Sequence, residues 1–350
     1  MGDDVKAWRD RRLTLLLDYR DALRQRVQEY ESLDVEALGE NLREAGWTVD
    51  IRTFEDVANS GELPGECIIH YTSSQEPGYR RFVDDLLFEL SRSNELVPRY
   101  EIFRAHEDKL YQELLRRRLG LAPLAARLFG NLKGLTGHID DLAYPAVLKT
   151  AAGFQSTGVS LVSDADALRR RVRRLNRPPG LAIYSLKQWL KRWILRGRYR
   201  PEQYEDCVYG GPFVVQQYVP GATNDWKVLV FGDRCWVLRR GVRQGDFRAS
   251  GSGMFSWKTP PDAVLDLASD TFARLDVPLV SLDIVAARGK CRLIEYQALH
   301  FGTYTLDHAP GHFRRGPAGW RHHEGSADLD QEYARALLLW LEKHRQENTA

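Results

Sequence analysis

The stretch "SLDIVAARGKCRLIEYQA", residues 281–298, reads as two β-strands folded about Gly289. Side chains alternate along a strand with a period of two, so Glu295 and Gln297 share a face. Folding at Gly289 brings Asp283 alongside them. Oxygen-bearing side chains gathered on one sheet face suit one or two Mg²⁺ ions, or Mn²⁺, that also touch ATP phosphates. A carboxylate set within apolar runs such as "VSLDIV" and "LIEYQA" is costly to bury without a metal or a cation.

Upstream, "VLKTAAGFQSTGVSLV", residues 147–162, poses a related question. Gly153 to Ser160 follow the spacing of a phosphate loop of the G-x-x-x-x-G-K-[ST] type, except that Val159 stands in the lysine position. Lys149 precedes the first glycine by four residues. Two strands joined by a glycine-bearing turn can fold over a triphosphate, with backbone N–H groups donating and a strand lysine neutralising charge. The bland alternative is an ordinary hairpin with a surface lysine.

Two further pieces fit the same chemistry. "FVVQQYVPG", residues 213–221, is an apolar strand ending in polar residues and a Pro-Gly turn, able to offer backbone groups to an adenine edge or simply to fill a core. "RRGVRQGDFRASGSG", residues 239–253, places Arg239, Arg240, Arg243 and Arg248 beside a Gly/Ser segment. Arginines there suit bidentate capture of a carboxylate or phosphate, or form a solvated basic loop.

In this order the motifs resemble the ATP-grasp superfamily, nearest to the ribosomal-protein glutamate ligases and glutathione synthases, over roughly His106 to Thr305. The resemblance implies an α/β (α+β) ATP-grasp fold and an ADP-forming, carbon–nitrogen bond-forming ligase that uses ATP and Mg²⁺ and works through an acyl phosphate. It implies nucleotide contacts from Lys109, Lys149, Gly153, Ser156, Thr157 and Gly158. Gln216, Gln217, Tyr218 and Val219 match the adenine hinge, and Asp225 the acidic residue near the ribose. Arg248 and Lys149 match the catalytic cations, and Asp283, Glu295 and Gln297 the metal triad. Arg240, Ser250, His300 and Tyr304 are candidates for the acceptor site. The chain departs from the family pattern in carrying Gln217 for Glu, Gln297 for Asn, Lys227 for Arg, and Ala249 and Ser250 after "FR" where Asn is usual. The departures leave the acceptor open, either a small molecule or a peptide. An ATP-grasp kinase acting on a hydroxyl and a non-catalytic nucleotide- or membrane-binding module are the alternatives.

A chain of 350 residues exceeds one hydrophobic core. The resemblance and the pattern together divide it into a helical arm at 1–46, a preceding small open α/β domain at 47–105 and a linker helix and loop at 106–144. A small ATP-grasp subdomain with a basic helical insertion follows at 145–220. A large subdomain with the metal site and a C-terminal helix occupies 221–350. A net charge of +2 argues against nucleic-acid binding by bulk charge. Cys67, Cys207, Cys235 and Cys291 are widely spaced, which fits a reducing cytoplasm. The N-terminus is charged from its third residue and has Lys6 where a myristoylation signal wants Ser or Thr, so a cytoplasmic protein is expected.

From Arg169 to Arg200 the chain has no acidic residue, and "SLKQWLKRWILRGR" sets Leu186, Trp189, Leu190, Trp193 and Ile194 on one helical face. An anionic membrane surface, a polyanion, or a lid packed on its own domain would each suit that segment. Homo-oligomer formation is likewise open. "WRHHEG" at 320–325 reads as a solvated loop, and neither H-E-x-x-H nor G-x-S-x-G is present.

Overall fold

The computed structural model describes residues 8, 10–25, 32–61, 64–106, 108–121, 124–151, 158–175, 181–200, 210–243 and 245–349. The chain divides into two compact units, Met1–His106 with Arg118–Ala122 and Ala222–Ala350, and Glu107–Arg117 with Pro123–Gly221.

The first unit opens with β1 (Arg12–Leu17), α1 (Val35–Glu44), β2 (Thr48–Thr53), α2 (Phe54–Ala58), β3 (Ile68–Tyr71), α3 (Pro77–Leu90), β4 (Glu95–Val97) and α4 (Tyr100–Ala105). The four strands form a parallel sheet in the order β2-β1-β3-β4. The expected continuous N-terminal helical arm is therefore corrected: Trp8 and Asp10 are helical, but "RLTLLL" is a strand between two parallel partners, and a helix follows at Val35–Glu44, capped by Asp34 accepting from the Ala37 N–H at 3.0 Å. A strand covered on both faces loses its alternation, and β1 buries every residue after Arg12. A short apolar run of that kind looks the same as a buried helical turn.

The second unit contains α5 (Lys109–Arg118), β5 (Ala126–Asn131), α6 (Leu132–Thr136), β6 (Ala146–Thr150), β7 (Val159–Val162), α7 (Ala165–Leu175), α8 (Leu181–Leu195) and β8 (Gly210–Gln217). Its sheet is antiparallel, ordered β5-β8-β6-β7. Asp164 starts α7 by accepting from the Ala167 N–H at 2.7 Å. Strand β5 lies in the stretch read as linker. It buries only Phe129 fully, so it carries little hydrophobic signal.

The chain then returns to the first unit as β9 (Asn224–Phe231), β10 (Arg234–Gly241), β11 (Phe255–Ser256), α9 (Asp262–Leu275), β12 (Leu279–Ala287), β13 (Lys290–Gln297), α10 (Tyr304–His308), β14 (Gly311–Gly316), β15 (Gly319–Glu324) and α11 (Leu329–Thr349). These strands form a sheet ordered β13-β12-β9-β10-β14-β15, with β11 added on β10. The segment "WRHHEG" is not a loop: it is mostly β15, paired with β14 through His312–His323 and Phe313–His322. Its side chains are largely exposed, which removed the apolar alternation that would mark a strand.

The first unit holds more than one hydrophobic core: a cluster around Leu16, Phe54 and Leu87 is one, and a larger one draws on both sheets. Leu229, Phe231, Trp236 and Leu279 pack with Leu337 and Leu341 of α11 and with Leu13 and Leu15 of β1. Each such side chain contributes about 1.5–3 kcal/mol by burial. Within this core His70 is buried, its Nδ1 2.8 Å from the Val97 carbonyl and its Nε2 2.7 Å from the Tyr333 hydroxyl. The neutral ring satisfies both contacts by donating to the carbonyl and accepting from the phenol. Burial pushes its pKa from 6.5 down to about 4, against the upward pull of the Val97 carbonyl. A folded-state pKa below the unfolded value means that stability is retained above 6.5 and lost as pH falls toward 4. We expect unfolding free energy to fall by about 3 kcal/mol across that interval, at about 1.4 kcal/mol per pH unit. Urea titrations of wild type and His70→Gln from pH 7 to pH 4 check this, since the variant loses that slope.

Candidate active site

In the second unit, strand alternation splits the sheet into two faces. Leu148, Phe213, Val215 and Phe129 pack with Leu132, Leu135, Leu168 and Val172 of α6 and α7. The opposite face carries Lys149, on β6 opposite Val214, and Gln216, on β8 opposite Val147. Helix α5 is tied to this face. The Gln216 amide donates to Glu113 at 2.9 Å, and the Lys109 N–H donates to the Ala151 carbonyl at 2.9 Å. Glu113 in turn lies 3.6 Å from Arg116. Among the described, fully buried ionisable side chains of this unit, Lys109, Arg116 and Lys149 are cations and Glu113 is the carboxylate. That balance suits a polyanionic ligand.

The β6–β7 turn is closed by the Thr150 N–H donating to the Gly158 carbonyl at 3.1 Å. Gly158 has φ +83° and a Cβ there would strike the Thr150 hydroxyl, so this position admits only glycine. Gly158→Ala is expected to cost about 1–3 kcal/mol of stability, through left-handed strain and the clash together. Urea unfolding reads this directly, and an unchanged midpoint would refute the packing argument. Beyond the strand end, Gln217 anchors the chain by its N–H to the Ala125 carbonyl at 2.7 Å, and Tyr218 and Val219 are half-buried.

In the first unit, one face of the sheet changes character along its length. The end holding Leu229, Trp236 and Leu279 is core, while the other end carries Asp225, Lys227, Arg240, Asp283 and Glu295. Arg240 is buried and forms a fork with Asp225, Nε to Oδ1 and Nη2 to Oδ2 both at 2.7 Å, and its Nη2 also reaches Asp283 at 2.9 Å. Lys227 donates to the Ser281 hydroxyl at 2.8 Å and lies 3.4 Å from Asp283. Burial pushes the Asp283 carboxyl up, but Arg240 and Lys227 win and hold it at about 2. Asp225 is held above the usual carboxylate range by burial, with repulsion from Asp283 added, despite Arg240. Burial works against the Arg240 charge, yet Asp283 and Asp225 raise its pKa.

The pairing of Asp283 with Glu295 depends on an irregularity. Arg288 and Gly289, at φ +52° and +70°, make a two-residue turn that pairs Ala287 with Lys290 and Ile284 with Leu293. A regular ladder would next set Asp283 opposite Ile294 and send Glu295 to the other face. A bulge between Asp283 and Ile284 skips Ile294, so Asp283 stands opposite Glu295 and Ser281 opposite Gln297.

The remaining expected residues are not drawn into this cluster. Arg248 is held by Asp246, with Nε–Oδ1 and Nη2–Oδ2 distances of 3.1 and 3.0 Å, and that hydrogen-bonding guanidinium lowers the Asp246 pKa to about 2. Arg243 fastens the same loop by donating to the Ser252 and Gly251 carbonyls at 2.9 and 2.7 Å. Ser250 is exposed on that loop. His300 is buried against His106, with their Nε2 atoms 3.2 Å apart. Tyr304 is exposed and stacks on His308, ring centroids 4.1 Å apart. Gly153, Ser156 and Thr157 lie outside the described residues.

No family model and no curated protein matches the sequence. Solved structures do match. The D-cycloserine synthetase DcsG aligns over 94% of this chain and 99% of its own, at a TM-score of 0.54 and 16% identity. The ATP-grasp ligase PsnB, solved with its precursor peptide PsnA2 and AMPPNP, aligns over 95% of this chain and 98% of its own, at 0.52 and 14%. The chain has the ATP-grasp fold. The ADP complex of PurK, an N5-carboxyaminoimidazole ribonucleotide synthetase, aligns over 86% of this chain and 74% of its own, at 0.51 and 10%.

The expected nucleotide residues Lys109, Lys149, Gly158 and Gln216 to Val219 lie on the second unit, and Asp225, Arg248 and the expected metal donors on the first. Asp225, expected near a ribose, has both carboxylate oxygens on Arg240. The donors Asp283, Glu295 and Gln297 are all oxygen, the chemistry a hard cation prefers, and three carboxylates (Asp225, Asp283, Glu295) face two cations (Lys227, Arg240) on that face. Gln297 can add a carbonyl oxygen to that donor set, while Asp283 is engaged by Arg240 and Lys227 and no three His, Cys, Asp or Glu side chains form a metal cluster among the described residues. Sequence reading missed Glu113, Arg116 and Ser281. Glu113 was findable as the i+4 neighbour of Lys109, and Ser281 as the i−2 neighbour of Asp283.

Proposed function

We propose that this chain is an ATP- and Mg²⁺-dependent ligase that joins a carboxylate to an amine of an amino acid or peptide-like molecule through an acyl phosphate, releasing ADP and phosphate. The observation that carries this reading is the bulged face on which Asp283, Glu295 and Gln297 meet Arg240 and Lys227, in a chain with the ATP-grasp fold. ATP supplies the activating phosphoryl group and Mg²⁺ the charge neutralisation for its transfer. Lys109 and Lys149 offset phosphate charge, and the backbone of Gln217 to Val219 receives the adenine edge. Asp225 orients Arg240, and Arg240 and Arg248 steady the anionic acyl phosphate until the amine attacks it. Asp283, Glu295 and Gln297 hold the metal.

The test is incubation with ATP, Mg²⁺, hydroxylamine and pooled amino acids and short peptides, following ADP and hydroxamate. Hydroxamate formed with ADP supports the ligase. A phosphorylated product without hydroxamate replaces it with a kinase, and absence of ADP formation overturns an enzymatic role.

A further inference from the structure

Helix α8 leaves a whole apolar face in water. Ile183, Leu186, Trp189, Trp193 and Ile194 are 65%, 58%, 63%, 74% and 70% exposed, and Leu190 between them is 42% exposed. They recur at i, i+3, i+4 and i+7, so they form one stripe along a helix about 22 Å long. A lid packed on its own domain would have buried this stripe, and it does not. The flanks are cationic: Lys187 and Lys191 border one side and Arg192 the other, and all three are exposed. From Arg169 to Arg200 there is no carboxylate to balance them.

We infer that α8 docks this protein on an anionic lipid bilayer, lying in the plane of the interface with its Trp/Ile/Leu stripe in the acyl boundary and its cations among the headgroups. The burial pattern selects this occupant. A soluble polyanion would satisfy the cations but leave the tryptophans and isoleucines in water, where a continuous apolar patch is unfavourable. A second copy of the helix would cover the stripe but bring cationic flanks against cationic flanks. An anionic bilayer satisfies both halves at once, because indole rings settle at the headgroup level and long Lys and Arg side chains reach back to the phosphates. The inference is independent of the ligase reading, since it uses none of that site's residues.

The experiment is co-sedimentation of the full chain with vesicles of phosphatidylcholine alone and of equal phosphatidylcholine and phosphatidylglycerol. Partitioning onto the anionic vesicles is expected to exceed that onto neutral ones by roughly tenfold or more and to weaken as salt is raised. Trp189→Ala/Trp193→Ala is expected to lower it by roughly tenfold, and Lys187→Gln/Lys191→Gln to lower the anionic preference while keeping the stripe. These positions are exposed, so far-UV circular dichroism and the melting temperature should match wild type. Absence of binding to anionic vesicles overturns the inference, as does binding that the tryptophan variant leaves undiminished. Retention on heparin without vesicle binding would mark a polyanion site instead, and tryptophan-dependent dimers without vesicle binding would mark a second copy.

Discussion

Arg240→Ala is expected to cost about 3–5 kcal/mol of folding stability, the range seen when one partner of a buried ion pair is removed. Arg240 is the cation that touches both Asp225 and Asp283, with contacts of 2.7 Å to the first and 2.9 Å to the second. Lys227 still approaches Asp283 after the substitution, but Asp225 would keep a buried carboxylate without its fork. The stranded charge, more than the lost hydrogen bonds, sets the size of the effect. A second substitution separates these causes: Asp225→Asn in the Arg240→Ala background removes the stranded charge and should recover much of the loss. Urea unfolding of the four members of this cycle gives the coupling energy. Additive single effects would show that Arg240 and Asp225 do not act as a pair. ADP formation should be lost in both Arg240→Ala backgrounds, because the restored fold still lacks the guanidinium.

The residues of this network were legible as chemistry before they were legible as geometry. Asp283, Glu295 and Gln297 stand out because carboxylates within apolar strands demand a counter-charge, and Lys149 because it precedes a glycine turn. Their juxtaposition was harder to read. A regular hairpin about Gly289 would have put Glu295 on the wrong face, and only the bulge that skips Ile294 sets it opposite Asp283. Bulges are chosen by neighbouring strands, here by β12 pairing with β9 as well as β13, and nothing in "CRLIEYQ" announces one. Strand β1 hid for the opposite reason. Both of its faces are covered, Leu13, Leu15 and Leu17 entering one core and Leu16 another, which erases the alternation that marks a strand. The Glu113–Gln216 contact spans 103 residues, a separation no local pattern encodes.

Lys149→Met is expected to lower ADP formation by about 10²–10³-fold, the usual cost of removing one preorganised charge from a water-excluded site. Methionine keeps the length and the apolar stem of the lysine on β6, so the sheet register against Val159 and Val214 need not change. The melting temperature of the variant is read beside its turnover, so that a loss of ADP formation is scored only in a folded protein. Lys149→Arg retains the charge but spreads it over a planar fork in place of a compact ammonium, so it should not fully restore turnover. Turnover within a few-fold of wild type in a folded Lys149→Met protein would remove this lysine from the phosphate-binding role. Helix α5 would then be the place to look next, since Lys109 and Arg116 are the other buried cations among the described residues of that unit and Glu113 already ties the helix to Gln216.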